Sequence, residues 1–439
     1  MPETAWPYPL IERGSKVGVH AIRSNRVTEF ARALAAGGAA FPVVKAVDDL
    51  GWLPQIKAIS PRTVIVARQT SRYEGCERVG DPSTDLDEMA DNLVGVILEK
   101  LQRHPDLRDV VDYWEISNEP DPPGAEGYRR LALLMIKCME RAEAEGLKLG
   151  LFGLNAGTPE WPEIEAMVET GVFGRARRGG HILTLHEGVF GNVPIDRWWG
   201  DLIPGAPRVE GAGALCFRYR YLYHLLRQRG EVIPLVVSEF YAGGGYAQDG
   251  VAPEAIVERM AWYDEKARQD YWVLAFCPFT LGPVGQWVNT DYEFVYPALV
   301  DYMLTVKEKP NGQPEAVAPT PTPEEPPAEE PEEEPQESPR RGAPRVQYRR
   351  TYVLLPPDAD STWARAVVEA TWDERRFTVG SSADDAGIGD LDDRTVIAVN
   401  PSRWPTDLKT FFDTYYPGVR YIPVEAATPA QLVSRLRAL

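Results

Sequence analysis

Trp114-Glu115-Ile116-Ser117-Asn118-Glu119-Pro120 is a short apolar, β-prone run that delivers a glutamate where a loop begins. A second string, Val236-Val237-Ser238-Glu239-Phe240, does the same further along the chain. Working outward from these two, the chain from Lys16 to about Lys309 alternates short apolar strands with amphipathic helices, eight times over. The strand candidates are Lys16–Ile22, Phe41–Val47, Thr63–Gln69, Val111–Ser117, Lys148–Leu154, His181–Leu185, Ile233–Ser238 and Tyr271–Cys277. Runs with helical periodicity lie between them, such as Asp85–Leu101, Tyr128–Glu145 and Pro253–Arg268. Uniform strand-then-helix alternation implies parallel strands joined by helical crossovers. Eight units suit a (β/α)8 TIM barrel better than an open doubly wound sheet. The first strand–helix turn, Ala21-Ile22-Arg23-Ser24-Asn25, has none of the glycines of a dinucleotide fingerprint, and no phosphate-binding loop appears.

Composition changes abruptly after the eighth unit. Pro310–Pro344 carries eleven prolines with Pro-Thr and Pro-Glu-Glu repeats, and residues 315–337 hold nine glutamates without a lysine or arginine. Prolines favour an extended chain and like charges repel, so this stretch reads as a semi-rigid linker. It also holds half of the net charge of −18, which leaves the rest of the chain unremarkable. Beyond it, the order strand, helix, strand, strand, helix, strand, helix over residues 347–439 predicts a small α/β sandwich domain. The expected division is a barrel over 1–309, a Pro/Glu-rich linker over 310–346 and an accessory domain over 347–439.

Composition also bounds function. No basic stripe points to nucleic acid, and no apolar run approaches the ~20 residues needed to span a bilayer. Cys76, Cys138, Cys216 and Cys277 lie far apart and read as isolated thiols, Cys138 and Cys216 within helices. The first residues lack the basic and apolar regions of a signal peptide. A signal removed beforehand would leave the same sequence, so the compartment stays open, an extracellular one included.

In a barrel enzyme the working groups sit at the C-terminal ends of the strands. Glu119 ends strand 4 and Glu239 ends strand 7, nearly across the barrel. Two carboxylates that face each other there can break a glycosidic bond, one protonating the leaving oxygen while the other attacks or stabilises the sugar cation. With Asn-Glu-Pro after strand 4 and a second glutamate on a Val-rich strand 7, residues 14–308 resemble the clan of retaining glycoside hydrolases built on (β/α)8 barrels, the cellulase and β-glycosidase superfamily. The resemblance implies that Glu119 is the general acid/base, that Glu239 is the nucleophile, and that Asn118 bonds the sugar hydroxyl beside the reacting carbon. Taken alone, Asn118, Glu119 and Pro120 also read as a polar turn closing a strand.

The remaining mouth residues are read with two meanings each. His186 follows strand 6, where the resembled clan often has a His or Tyr near the nucleophile; otherwise it is a structural histidine. Glu187 beside it should face the other way. His20 ends strand 1, while Lys45 and Arg68 put charge into apolar strands and need partners. Glu115, in the inward phase of strand 4, is a candidate partner, so these cations either touch substrate or form an ion-pair layer. Trp198, Trp199, Trp287, Tyr241 and Tyr246 are placed in loops where sugar rings could stack, or they pack the loops. Strand 8 departs from the resembled clan, reading Ala275-Phe276-Cys277-Pro278-Phe279 where a tryptophan usually floors the sugar site.

A metal-dependent barrel hydrolase would want a His-x-His pair on strand 1, which the five histidines do not supply, so no metal and no cofactor is expected. In the C-terminal domain Ser381–Asp390 is a Gly/Asp-rich turn that matches no calcium loop. The expected partner is a carbohydrate substrate, with a surface or glycan target for the C-terminal domain suggested by domain order alone. The competing expectation is a barrel that keeps the fold and binds a glycan or another partner without turnover.

Overall fold

The computed structural model describes residues 6, 8–189, 199, 202–242, 251–314, 349–371, 377–381, 393–404, 406–415 and 418–439. The chain divides into two compact units, Met1–Thr322 and Pro323–Leu439. In the first, strands β1 (Val19–Ala21), β2 (Val43–Val47), β3 (Val64–Arg68), β4 (Tyr113–Glu115), β5 (Leu149–Leu154), β6 (Ile182–Val189), β7 (Leu235–Ala242) and β8 (Val273–Pro278) form one parallel sheet in sequence order. Two isolated parallel bridges, Val17 to Phe276 and Ala21 to Leu281, bring the chain around β8 back beside that around β1 and nearly close the barrel.

Alternation sorts the side chains. Val43, Val64, Val66, Tyr113, Ile182, Val236, Leu274, Ala275 and Cys277 form one buried cluster inside the barrel. Their neighbours Val44, Ile65, Ala67, Trp114, Leu183, Val237 and Phe276 join the larger core against the helices. Because both faces of every strand are buried, the strands read as continuous apolar runs. The surrounding helices include α1 (Val27–Ala36), α2 (Leu53–Ile59), α3 (Leu86–Arg103), α4 (Gly124–Ala144), α5 (Trp161–Glu169), α6 (Val172–Gly179), α7 (Tyr219–Arg229), α8 (Pro253–Ala267) and α9 (Tyr296–Val306). Asp85 caps α3 by accepting from the Asp87 and Glu88 amides.

Strands β6 and β7 run four residues past their expected ends, which places His186 and Glu239 inside paired strands. Their register skips one residue: Leu185 pairs Val237, and His186 pairs Glu239, leaving Ser238 as the extra residue of a bulge. The four cysteines are buried free thiols. Cys216 lies in the segment before α7 and not in a helix, because helix periodicity begins only at Tyr219. Among the described residues no helix is long and apolar enough to cross a membrane.

The second unit holds a four-stranded parallel sheet of β9 (Arg349–Leu354), β10 (Thr378–Gly380), β11 (Asp393–Val399) and β12 (Arg420–Val424), in the order β10-β9-β11-β12. Helices α10 (Ser361–Thr371) and α12 (Pro429–Arg437) pack on one face through Val367, Leu432 and Leu436 against Val353 and Ile397. Helix α11 (Leu408–Tyr415) covers the other through Leu408 and Phe412 against Tyr352, Leu354 and Val396. This is the expected α/β sandwich, with helices on both sides of the sheet. Residues 382–390 of the Gly/Asp-rich stretch and the Pro/Glu segment from residue 315 lie outside the described residues.

One glycine ties the fold to the end of β4. Gly153 has φ +56° on β5, and its carbonyl accepts from the Glu119 amide at 2.8 Å. A Cβ there would meet the Ser117 carbonyl oxygen at 2.4 Å. Gly153→Ala should therefore lower the unfolding free energy by about 2–4 kcal/mol, from backbone collision plus the strain of a left-handed residue. Urea unfolding checks this, and a variant as stable as the parent would contradict it.

Candidate active site

The mouth of the barrel is assembled around a buried charge cluster. Lys45 on β2 donates to Glu115 Oε1 on β4 in a short, fully buried ion pair. Arg68, the last residue of β3, adds Nη1 to the same oxygen at 3.2 Å and to Glu239 Oε1 at 3.2 Å, and bonds Asn118 Oδ1 as well. Burial disfavours both carboxylate charges, yet these cations outweigh it. Lys45 and Arg68 hold the Glu115 carboxyl down at about 2, below its ordinary 4.5. Burial likewise opposes the Glu239 charge, yet its carboxyl is held well below the usual range, by the His186 imidazole first and then by the Arg68 guanidinium, with Lys45 adding less. Glu239 is thus an ionised, nearly solvent-free carboxylate.

Glu119 is delivered differently. Strand β4 stops at Glu115, and Glu119 has φ +50°, so it lies in a turn beyond the alternation of the strand. Three bonds fix that turn: Ser117 Oγ donates to the Phe152 carbonyl, the Asn118 amide to the Glu74 carbonyl, and the Glu119 amide to the Gly153 carbonyl. Its side chain is one-third exposed, against 5% for Glu239. One carboxylate is therefore open to solvent while the other is enclosed.

Two histidines and a tyrosine complete the frame. His186 Nδ1 lies 2.8 Å from Glu119 Oε1, and its Nε2 stands 3.7 Å from Glu239 Oε1. His20 Nδ1 contacts Thr280 Oγ1 at 2.6 Å, with Nε2 also 3.7 Å from Glu239 Oε1. Burial pushes the His20 imidazole down to about 3, so it is neutral. Tyr241 donates its hydroxyl to Glu239 Oε2 at 2.7 Å. One ligand-type atom each from Glu119, His186 and Glu239 falls within 4.8 Å of the others, so the two carboxylates approach closely with an imidazole beside them.

The bulge at Ser238 decides this arrangement. Val236 faces the barrel interior and Val237 the helices. Strict alternation would send Glu239 outward with Val237. The extra residue resets the phase, so Glu239 and Tyr241 face inward while Phe240 packs outward on Tyr263 and Phe276.

Glu119, Glu239, Asn118, His186, His20, Lys45, Arg68 and Tyr241 are brought together. Lys45 is fully buried against Glu115 and belongs to the ion-pair layer. Tyr241, read from sequence as a stacking ring, is instead a 7% exposed donor to Glu239, because the bulge turns it inward. Glu187 faces outward as expected, accepting from the Phe217 and Tyr219 amides and the Tyr263 hydroxyl. Trp199 packs on Phe217 and Trp262, away from the mouth. Trp198 and Tyr246 lie outside the described residues. At the end of β8, Phe279 contacts the His20 and Tyr241 rings, and the 38% exposed Trp287 packs edge-on against it at 5.2 Å. Sequence reading passed over Thr280 and Glu74. Thr280 follows Phe279 with no pattern to mark it, and Glu74 sits in a loop whose return to Asn118 no periodicity reports.

No protein-family model matches the chain, and no curated protein does. Among solved structures, a family 39 glycoside hydrolase from the gut symbiont Bacteroides cellulosilyticus is similar at 11% identity and a TM-score of 0.38, over 66% of this chain and 64% of that one. A β-mannanase from Thermomonospora fusca is similar at 14% identity and a TM-score of 0.34, over 65% and 88%. A broad-specificity endoglucanase from Ruminococcus champanellensis is similar at 12% and 0.36, over 63% and 85%. The chain spans about 64% of the length of the family 39 enzyme.

The charge layer makes a stability prediction. Removing one partner of a buried pair strands the other, so Lys45→Met should cost about 3–5 kcal/mol, and Lys45→Met with Glu115→Gln clearly less. Glu115 has a depressed folded-state pKa, so its contribution is present above 4.5 and is lost as pH falls through about 2. Between those values the wild type should lose stability more steeply than the double variant. Denaturant unfolding across that range checks both statements, and parallel pH profiles would contradict them.

Proposed function

We propose that this chain is a retaining glycoside hydrolase that cleaves O-glycosidic bonds of an oligo- or polysaccharide by double displacement. The observation that carries the reading is the approach of a Glu119 and a Glu239 carboxylate oxygen to within 4.8 Å. Retaining pairs stand about 5–5.5 Å apart, whereas inverting pairs are spread to about 6.5–9.5 Å to admit a water.

The groups divide the chemistry as follows. Glu239, already ionised, attacks the anomeric carbon while the bond to the leaving oxygen breaks and Glu119 gives that oxygen its proton. The product is a glycosyl ester on Glu239. Glu119, now a carboxylate, takes a proton from water; the resulting hydroxide attacks the anomeric carbon and frees Glu239 and the sugar. Arg68 and Tyr241 hold the two oxygens of Glu239 so that no reorganisation is needed at the moment of attack. His186 holds Glu119. Arg68 occupies Asn118 Oδ1, which leaves the amide NH2 as the donor for a sugar hydroxyl. Phe279 and Trp287 supply the apolar surface that the missing tryptophan would have given a sugar ring.

Phe279 at that position also suits the competing reading, a barrel that binds glycan without turnover. The division into residues 1–309, 310–346 and 347–439, and a surface or glycan target for the C-terminal unit, belong to the same proposal.

A panel of glycans and a mechanism-based fluoroglycoside separate the two readings. Expected are hydrolysis of at least one substrate, covalent labelling of Glu239 found by peptide mass, loss of both with Glu239→Gln, and a drop of about 10²–10⁴-fold in kcat with Glu119→Gln. Glycan binding without labelling or cleavage would support the non-catalytic reading instead.

A further inference from the structure

We infer that Thr280 is a positioning residue: its hydroxyl fixes His20 as the Nε2–H tautomer, so that the ring presents a donor to Glu239. The catalytic consequence rests on the proposed function; the tautomer does not. Three observations carry it. First, Thr280 and His20 are both fully buried, and Thr280 Oγ1 lies 2.6 Å from His20 Nδ1. Its other acceptors, the His20 and Leu281 carbonyls, stand farther off at 3.4 Å. Second, the far ring nitrogen, Nε2, is buried without a hydrogen-bond partner and stands 3.7 Å from Glu239 Oε1. Third, the ring is neutral, because burial opposes its charge and Lys45 and Arg68 add to that opposition. One nitrogen therefore carries a proton and the other a lone pair.

Only one tautomer suits both ends of the ring. With the proton on Nδ1, the Nε2 lone pair confronts an ionised carboxylate where little water screens the repulsion. With the proton on Nε2, the Thr280 hydroxyl donates to Nδ1 at short range and Nε2–H meets the carboxylate with the right sign. The surroundings hold this arrangement in place. The Leu281 amide donates to the His20 carbonyl at 2.9 Å, and the Tyr292 amide to the Thr280 carbonyl at 3.0 Å. The Phe279 ring packs on the imidazole with centroids 4.8 Å apart. Donors of this kind are often long in a free enzyme and tighten during the reaction. Here the gain falls in the second half. As the glycosyl ester breaks, the C–O electron pair returns to Glu239, and a donor at that carboxylate stabilises the developing charge. In the first half Glu239 loses charge, so the same donor does not lower the barrier.

Nitrogen-15 NMR of the full chain, labelled at its five histidines, tests the tautomer, with His20 assigned through its contacts to the Phe279 ring. His20 should show a protonated Nε2 and an unprotonated Nδ1 that accepts a hydrogen bond. Thr280→Val should move the Nδ1 resonance, and Thr280→Ser should restore it. A wild-type ring protonated on Nδ1, or one unchanged by Thr280→Val, would overturn the inference. The wild-type spectrum decides the matter if Thr280→Val does not fold. Where hydrolysis is found, an aryl glycoside with a good leaving group makes deglycosylation the slow step. On that substrate Thr280→Val should lower kcat about 2–10-fold and kcat/KM less, with recovery in Thr280→Ser. An equal fall in both would contradict the donor's part in the second half. The Nε2–H tautomer in a chain that cleaves nothing would leave the role of Thr280 standing and remove the proposed function.

Discussion

A guanidinium sealed inside the barrel organises the mouth. Arg68 enters at the end of β3 and touches Glu115, Glu239 and Asn118, while Lys45 completes the neutralisation of Glu115. Carboxylates this deeply buried are disfavoured in ionised form unless paired. Both are nonetheless held ionised. The placement of Glu115, of Glu239 and of Asn118 therefore runs through one side chain. Removing it would disturb all three together.

The second constraint is backbone geometry. Strand ends bring residues near the mouth, yet neither glutamate arrives there by simple alternation. Glu239 faces inward because Ser238 is an extra residue against β6. Glu119 reaches the mouth through a left-handed turn pinned to β5 and to the loop after β3. Bulges and turns of this kind re-aim single side chains without altering the fold that carries them.

These two constraints mark what the sequence could tell. Eight strands were legible because parallel strands buried on both faces read as apolar runs, and charge in the middle of two such runs singled out Lys45 and Arg68. Alternation alone offered Glu115 as a partner for Lys45 or Arg68, and it pairs with both; it also turned Glu187 away from the mouth. A bulge has no composition signal, so the inward turn of Tyr241 and its bond to Glu239 could not be read. For Trp199 the sequence left stacking on a sugar and packing of the loop both open, and the structure takes the second, because an indole in a loop packs on other rings as readily as on a sugar. Contacts made by loop return, such as Glu74 to Asn118 and Thr280 to His20, have no periodicity to betray them.

Under the proposed function, the enclosed, ionised Glu239 and the solvent-facing Glu119, whose carboxylate oxygens lie within 4.8 Å of one another, work as a retaining pair. The stereochemical course of hydrolysis tests that claim most directly. Proton NMR of the first product formed should show the anomeric configuration of the substrate, before mutarotation. An initial product of opposite configuration would contradict the account.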